Sequence, residues 1–259
     1  MKEIRIITVD RQEVPVLISD EKEALLAAKA AGRAIVGLWD PENPDRDLGP
    51  AVYLTDDPDT DSGRFLERVA RRHLGLPWII CETQRLRIRE LTETDFEVVR
   101  PYGKETGFPS KQRFLAYIKN QYGFYGFGLW ALEERTEGVL VGLAGLTAQE
   151  KAEGDERVWE VHTGPEKGES GRNTDTEADF LPEALEIGYF IFPDRRRQGY
   201  AKEACRAILD RAGSEQGIWR VTARISRRNT ASEHLAEELG MTPENRRKRL
   251  VKPGEYPVY

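Results

Sequence analysis

The stretch that decides the fold is Glu186-Ile-Gly-Tyr-Phe-Ile-Phe192, followed by Pro193-Asp-Arg-Arg-Arg-Gln-Gly-Tyr-Ala201. The first seven residues form a short apolar run that stops at a proline, which predicts a buried strand. From Ala201 onward, apolar residues recur at the spacing of one face of an amphipathic helix. These positions are Ala201, Ala204, Cys205, Ile208, Leu209 and Ala212. The sequence therefore predicts a strand, a tight turn containing Gly199, and a helix.

The turn before this helix has the composition of an anion-binding site. The first backbone N–H groups of a helix have no acceptor inside the helix, and a glycine lets a ligand approach them closely. Arg196 and Arg197 add positive charge beside Gly199. The turn predicts a site for a diphosphate. The alternative is that both arginines are ordinary surface charges.

Three motifs together resemble one family. Arg196-x-x-Gly199-x-Ala201, after a strand and a proline, resembles the acyl-CoA-binding motif of the GNAT superfamily of N-acetyltransferases. Asn229-Thr-Ala-Ser232 and Leu239-Gly-Met241 resemble the Asn-x-x-Ser and Leu-Gly-Phe pattern of its RimJ/RimL-like branch, the ribosomal-protein N-terminal acetyltransferases. Thr83-Gln-Arg-Leu-Arg-Ile-Arg-Glu-Leu91 resembles the first strand of that branch. The resemblance covers about residues 83–259.

The resemblance implies an α+β fold with a mixed, mostly antiparallel, splayed sheet flanked by helices. Its order is strand, two helices, three antiparallel strands, helix, strand, helix and two final strands. Residue patterns predict the same order: an alternating strand over 85–91, a capping box at Thr92–Asp95, a helix over 110–121, and a hairpin of strands over 127–132 and 139–146.

Residues 1–82 predict a small, Rossmann-like α/β layer in front of an acetyltransferase domain at 83–259. The predicted elements are a strand over 14–18, a helix over 21–31 capped by Ser19 or Asp20, strands over 33–39 and 51–55, and a helix over 63–74. A strand, a helix and a strand in succession predict parallel pairing. The layer has no G-x-G-x-x-G and no phosphate loop followed by lysine, so an accessory or docking role is favoured over a second catalytic site.

The segment 149–183 differs from the rest of the chain. It holds eleven acidic and four basic residues, and Gly, Pro, Ser and Thr are frequent in its second half. We expect an insertion between the third and fourth strands of the family order, largely a loop. Val158, Trp159 and Val161 could add a short strand. As a hypothesis, the acidic side chains attract a cationic substrate.

The resemblance implies which residues hold acetyl-CoA. In such enzymes the fourth and fifth strands separate, and the pantetheine arm pairs with the backbone of the fourth strand. The residues matching these contacts are Tyr189, Phe190 and Ile191 on the strand, Arg196, Arg197, Gln198, Gly199, Tyr200 and Ala201 at the diphosphate, and Asn229 near the thioester.

Acetyl transfer needs a neutral amine and a proton for the leaving thiolate. The position of Glu186 resembles that of the family's base, with Glu183 as a second candidate. The tyrosine acid that many members carry seven residues after the Asn is replaced by Ala236, so the resemblance gives the acid role to Ser232. Each role has an alternative without catalysis or cofactor binding. Glu186 is then a solvated carboxylate at a strand end, Asn229 is only a helix N-cap, and Ser232 only occupies the first turn of the helix.

Composition excludes several other classes of function. The 39 basic and 45 acidic residues give a net charge of −6, which disfavours nucleic-acid binding. Two cysteines, Cys81 and Cys205, and the scattered His73, His162 and His234 predict neither a disulfide framework nor a metal site. Without a secretory signal or an apolar run of membrane-spanning length, we expect a soluble, cytoplasmic monomer or homodimer.

Two functions remain. The first is transfer of acetyl from acetyl-CoA to a primary amine by direct attack in a ternary complex, because a buried Cys205 is a poor acyl carrier. The acceptor is either a protein N-terminus or a small amine. The alternative is a non-catalytic acyl-CoA-binding regulatory module, which the missing tyrosine at Ala236 keeps open.

Overall fold

A computed structural model of the 259-residue chain describes residues 2–57, 59, 64–148, 155–163, 184–215, 218 and 220–244. The chain divides into two compact units. Unit 1 comprises Met1–Leu143 and Phe190–Arg195, and unit 2 comprises Ala144–Tyr189 and Arg196–Tyr259.

Unit 1 begins with a four-stranded sheet and two helices. These are β1 (Lys2–Val9), β2 (Gln12–Ser19), α1 (Lys22–Ala30), β3 (Ala34–Leu38), β4 (Leu54–Thr55) and α2 (Arg64–His73). The order is β1-β2-β3-β4, and the predicted parallel pairing of β2 with β3 is confirmed. Val16 and Val36 pack with Leu66 and Val69 of α2 in the core. The predicted cap of α1 is wrong, because the helix starts after Glu21, which makes no side-chain capping bond.

Unit 1 also holds a second sheet. Its elements are β5 (Ile79–Glu82), β6 (Leu86–Arg89), α3 (Phe96–Val99), α4 (Lys111–Tyr125), β7 (Leu129–Glu134) and the start of β8 (Leu140–Ala148), with strand order β5-β6-β7-β8. The predicted strand, helix and hairpin are confirmed, and Leu86 and Ile88 are fully buried as their alternation predicts. The capping box forms before α3, where the Thr92 amide donates to Asp95 Oδ2 at 2.7 Å.

A buried ion pair lies between the first helix-covered sheet and the second sheet of unit 1. Arg72 at the end of α2 binds Glu90, just after β6, with Nε 3.1 Å from Oε2. The two side chains are 12% and 4% exposed. The hydrogen bonds to Glu90 raise the pKa of Arg72 although burial opposes its charge. The domain boundary predicted at residue 82 stays a prediction.

Unit 2 contains the rest of β8 and six further elements. These are β9 (Glu156–His162), β10 (Leu185–Ile191, whose last two residues belong to unit 1), α5 (Tyr200–Glu215), β11 (Arg220–Ser226), α6 (Thr230–Glu238) and β12 (Thr242–Pro243). The order of these strands is β12-β9-β11-β10. β9 confirms the short strand expected within the acidic segment, and it pairs antiparallel with β11 and β12. The rest of that segment lies outside the described residues, as does the chain after residue 244, where a second final strand is predicted.

The predicted fold class is confirmed. Antiparallel pairs in both units and the parallel pair of β10 with β11 make the sheet structure mixed, and helices accompany each sheet. Gly126, in the left-handed region at φ 69°, ends α4 and lets the chain turn into β7. Along the described stretches, the helices are all too short or too polar to cross a bilayer.

Candidate active site

The parallel strands β10 and β11 separate soon after they meet. Their backbone register holds at only two positions, Leu185 with Val221 and Glu186 with Thr222. A cavity of about 200 Å³ lies beyond that point, lined by both strands, α5 and α6. Four consecutive residues of β10, from Glu186 to Tyr189, line it. Since neighbours in a strand point to opposite faces, the cavity is a gap in the sheet rather than a groove on one face.

The turn between β10 and α5 has an unusual backbone. Arg197 and Gly199 both lie in the left-handed region, at φ 60° and 83°. This conformation is natural for glycine and strained for arginine, and such strain is typically retained at ligand sites. Alternation of right- and left-handed residues turns successive N–H groups toward one point, which makes a concavity for an anion. Arg196, Gln198 and their neighbours here are exposed, whereas Tyr200 is buried.

Helix α5 continues this anion-binding geometry. Its first intrahelical bond runs from the Glu203 amide to the Gly199 carbonyl at 3.1 Å. Helix geometry gives the amides of Ala201 and Lys202, which precede it, no acceptor inside the helix. The structure thus brings all the predicted diphosphate residues together in one turn and the first turn of α5.

Asn229 forms the N-cap of α6. Its Oδ1 accepts a hydrogen bond from the Ser232 amide at 3.2 Å. The side-chain carbonyl oxygen of Asn229 therefore has the alternative role, that of a helix cap. The cap does not use the side-chain NH₂ group. Asn229 still lines the cavity, so a polar contact with a ligand is compatible with the capping role.

The hydroxyl of Ser232 has a partner that the sequence did not reveal. Tyr189 Oη lies 2.8 Å from Ser232 Oγ, and both side chains line the cavity. Burial raises the pKa of Tyr189 above its usual value of 10, against the opposing effect of the hydrogen bond with Ser232. The resemblance had assigned only the backbone of Tyr189. The buried Ala236 faces the same cavity from α6.

Glu186 is held by an arginine on the neighbouring strand. Its Oε2 lies 2.8 Å from Arg224 Nε, and the two side chains are 13% and 19% exposed. Arg224 also lies 3.6 Å from Glu156 Oε2 on β9. The reading of Glu186 as a solvated carboxylate is therefore wrong. Sequence analysis missed Arg224, whose only signal was its polar place in the alternation of β11. The second candidate, Glu183, lies outside the described residues.

Cys205 lines the cavity as an inert thiol. It is 1% exposed, and burial raises its pKa to about 12. The reactive thiolate is therefore scarce at neutral pH. Among the residues with described positions, no three of the His, Cys, Asp and Glu side chains gather as metal ligands would.

Two parallel strands that open beside an anion-binding turn define the kind of site that an acyl-CoA-dependent transferase requires. The family model described as the acetyltransferase (GNAT) domain matches residues 85–242. The chain belongs to this family. It is therefore an acyltransferase, and the family to which it belongs uses acetyl-CoA as co-substrate.

Similar proteins have been found in several bacteria. The uncharacterized N-acetyltransferase YjdG of Bacillus subtilis is 24% identical over 62% of this chain and 89% of its own length. YoaA of the same organism, also an uncharacterized N-acetyltransferase, is 26% identical over 64% and 84%. A GNAT-family acetyltransferase structure from Bacillus anthracis is 22% identical over 63% and 84%, with a TM-score of 0.43.

Proposed function

We propose that the chain is an N-acetyltransferase that moves the acetyl group of acetyl-CoA to a primary amine by direct attack in a ternary complex. The observation that carries this proposal is the cavity between β10 and β11. It is lined by a carboxylate, Glu186, and by a hydroxyl, Ser232. A proton acceptor and a proton donor are the two groups that amine acylation needs.

The residues around the cavity fit acetyl-CoA. A Cβ placed on Gly188 would meet nothing within 4 Å, so a chain-like ligand can approach β10 there. The backbone of residues 189–191 pairs with the pantetheine arm. The amides of residues 197–201 hold the diphosphate, and the Arg196 and Arg197 side chains supply positive charge. The NH₂ group of Asn229 contacts the cofactor near the thioester.

Acetyl-CoA supplies an activated acyl group, and the chain supplies the proton transfers. Glu186 orients the acceptor ammonium and takes up its proton, directly or through water. The guanidinium of Arg224, with Nε 2.8 Å from Oε2, holds the carboxylate in position. Ser232 donates a proton to the departing thiolate from the opposite side of the cavity.

Direct attack is supported by the state of Cys205. A covalent acetyl-enzyme needs a nucleophile that is deprotonated or has a base beside it. The thiol has a pKa of about 12, raised by burial. Ser232, another hydroxyl that lines the cavity, is hydrogen-bonded to a phenol rather than to a base.

For the acceptor, we infer a cationic primary amine, either a protein N-terminus or a small molecule. The Asn229-x-x-Ser232 motif favours the ribosomal-protein branch. The acidic segment adds a local excess of negative charge, although Glu166, Glu169, Asp175 and Glu177 lie outside the described residues. Its described acids have basic partners, as Glu160 has in Arg220 at 2.8 Å. Attraction of the amine would therefore fall to the remaining acids.

The test is to mix the purified full chain with acetyl-CoA and a panel of amines, including peptides with free N-termini, and to follow free thiol. We expect thiol release that depends on one class of amine and an acetylated product by mass spectrometry. Glu186→Gln should lower kcat/KM about 10²-fold or more, as for loss of a general base. Glu160→Gln, which neutralises a carboxylate on β9 outside the cavity lining, is the matched control. Coenzyme A binding without turnover of any amine would instead indicate the non-catalytic module.

A further inference from the structure

The structure places a phenol where it can act in catalysis, although the expected position on α6 holds an alanine. Resting on the proposed function, we propose that Tyr189 is the source of the proton given to the leaving thiolate, and that Ser232 passes this proton on. Tyr189 acts through Ser232, and Ser232 contacts the sulfur. The relay crosses the cavity from β10 to the first turn of α6.

The geometry of the pair supports a relay. The two hydroxyl oxygens are 2.8 Å apart, within the usual range for an O–H···O hydrogen bond. Ser232 is fixed in position because its amide is bound by Asn229 Oδ1 at 3.2 Å. Tyr189 is fixed by its strand. Two hydroxyls that are each held by regular structure keep the proton path formed before the substrates arrive.

The chemistry requires more than the serine. A serine hydroxyl is a very weak acid, and it can release its proton only if another proton replaces it at the same time. A phenol is the stronger acid of the two. Burial raises the pKa of Tyr189 above 10, so the phenol carries its proton throughout the neutral range. In this pH range the tyrosine is thus protonated when the thiolate leaves.

The step balances as follows. The bond from the amine nitrogen to the acyl carbon forms, and the bond from that carbon to sulfur breaks, with its electron pair staying on sulfur. Sulfur takes the Ser232 proton, and Ser232 Oγ takes the Tyr189 proton. Glu186 first passes one proton of the ammonium to solvent, which leaves the neutral amine. After attack the nitrogen loses a second proton to Glu186, and that proton returns to Tyr189 through solvent, so one proton is released overall. The products are the amide and the free thiol.

Within the described part of the chain, the other titratable groups that line this cavity are Glu186, Cys205 and Arg224. Cys205 of α5 would act on Tyr189 only as a thiolate, and it stays neutral because burial raises its pKa to about 12. Glu186 and Arg224 line the same cavity and neutralise each other as an ion pair. Among the described residues that line the cavity, the phenol therefore sits beside neutral or paired groups.

A purely structural pair would predict something different. In that case the hydrogen bond would only fasten α6 to β10, and its loss would lower stability without a specific effect on the chemical step. Tyr189→Phe removes one oxygen and keeps the ring, so it separates the two explanations. Ser232→Ala removes the connecting hydroxyl, and Ser232→Thr restores it.

The experiment measures kcat and KM for acetyl-CoA, the melting temperature and coenzyme A binding for these variants in the full chain. We expect Tyr189→Phe to lower kcat by about 10²-fold, within the range of general acid catalysis, with KM and coenzyme A affinity almost unchanged. Ser232→Ala should lose as much, Ser232→Thr should regain activity, and the double variant should be no worse than Ser232→Ala. With nitrothiophenyl acetate as donor, whose thiolate needs no proton to leave, Tyr189→Phe should approach the wild-type rate.

The possible negative results distinguish a failure of the relay from a failure of the proposed function. A Tyr189→Phe variant with wild-type kcat overturns the relay and leaves the proposed function standing. An equal loss with both acyl donors also overturns it, since the defect would then not lie in proton donation. If Tyr189→Phe does not fold, equal kcat values for Ser232→Ala and wild type overturn the relay. A wild-type chain that releases no thiol with any amine overturns the proposed function and the relay with it.

Discussion

Glu186 of β10 binds Arg224 of β11 across the point where the backbones of the two strands part. The last registered pair is Glu186 with Thr222, and Arg224 lies two residues further along. The side-chain ion pair thus joins the two strands just where their backbone pairing ends. The proposed base is therefore held by Arg224 at the point where the two strands separate.

Removal of this arginine should affect stability and activity together. Arg224→Met removes the guanidinium from the partly buried Glu186, and we expect a loss of about 1–3 kcal/mol in the free energy of unfolding. We also expect a lower kcat/KM, since the carboxylate loses the group that positions it. Urea unfolding and the thiol assay measure the two effects.

A matched control lies on the same strand. Arg220 pairs with Glu160 at 2.8 Å and with Glu244 at 3.0 Å, outside the cavity lining. Arg220→Met should destabilise the chain by a similar amount and leave kcat/KM nearly intact at a temperature well below its melting point. Equal activity losses in both variants would mean that Arg224 acts only through stability.

In the turn before α5, a substitution of Arg197 should affect stability and coenzyme A binding differently. Arg197 occupies a left-handed conformation at φ 60°, which is unfavourable by about 1 kcal/mol for a residue with a side chain. Arg197→Gly should therefore keep or raise the melting temperature while it weakens coenzyme A binding through the lost charge. Titration calorimetry should show a loss of affinity that shrinks as salt rises.

Gly199, two residues further on, should show the opposite effect on stability. Gly199 has φ 83°, so Gly199→Ala strains the turn and lowers both stability and coenzyme A affinity. A variant at Arg197 that binds coenzyme A as well as wild type at low salt would contradict the diphosphate assignment.

Local parts of this site were predictable from the sequence, and long-range parts were not. The turn of Arg196 to Ala201 and the stripe of α5 depend on spacings within a few residues, so their pattern alone predicted them. The Tyr189–Ser232 and Glu186–Arg224 contacts join residues 43 and 38 positions apart. They depend on how strands and helices pack, which no periodicity of one segment encodes.

Strand prediction failed for a related reason. β1 was missed because Lys2, Glu3 and Arg5 interrupt its apolar residues, and Ile4 and Ile6 remain exposed on its open face. It forms as the hairpin partner of β2, with Val9 opposite Gln12 next to the turn. Pairing with a strongly apolar neighbour, and not its own composition, makes this segment a strand.

The buried thiol predicts how stability depends on pH. Cys205 has a folded pKa of about 12 against an ordinary value of 9.0, so above pH 9 the unfolded chain loses this proton while the folded chain keeps it. The contribution of this group is fully present below pH 9 and is lost as pH rises toward 12. Cys205→Ala should therefore show a shallower alkaline decline in the free energy of unfolding than wild type.

The same variant tests direct transfer. Cys205→Ala should keep amine-dependent thiol release, reduced only as far as its packing defect disturbs the cavity. Intact-protein mass spectrometry of the wild type after acetyl-CoA addition should show no acetyl group that disappears when amine is added. A transient acetyl adduct on Cys205 would contradict the ternary-complex mechanism.

The ion pair of Arg72 with Glu90 allows a test of whether residues 1–82 stabilise the rest of the chain. A chain that starts at residue 83 lacks Arg72 and also β5, which pairs with β6. It thereby loses Arg72 and the Trp78 amide, two groups of residues 1–82 that contact the Glu90 carboxylate. We expect this shortened chain to be much less stable than the full one, as measured by thermal unfolding.

A substitution of Glu90 tests the ion pair itself. Glu90→Gln should destabilise the full chain by about 3–5 kcal/mol, because it leaves Arg72 buried without its charged partner. It should have little effect on the shortened chain, in which Glu90 would face solvent. If Glu90→Gln destabilises both chains equally, the ion pair with Arg72 contributes nothing to the attachment of residues 1–82.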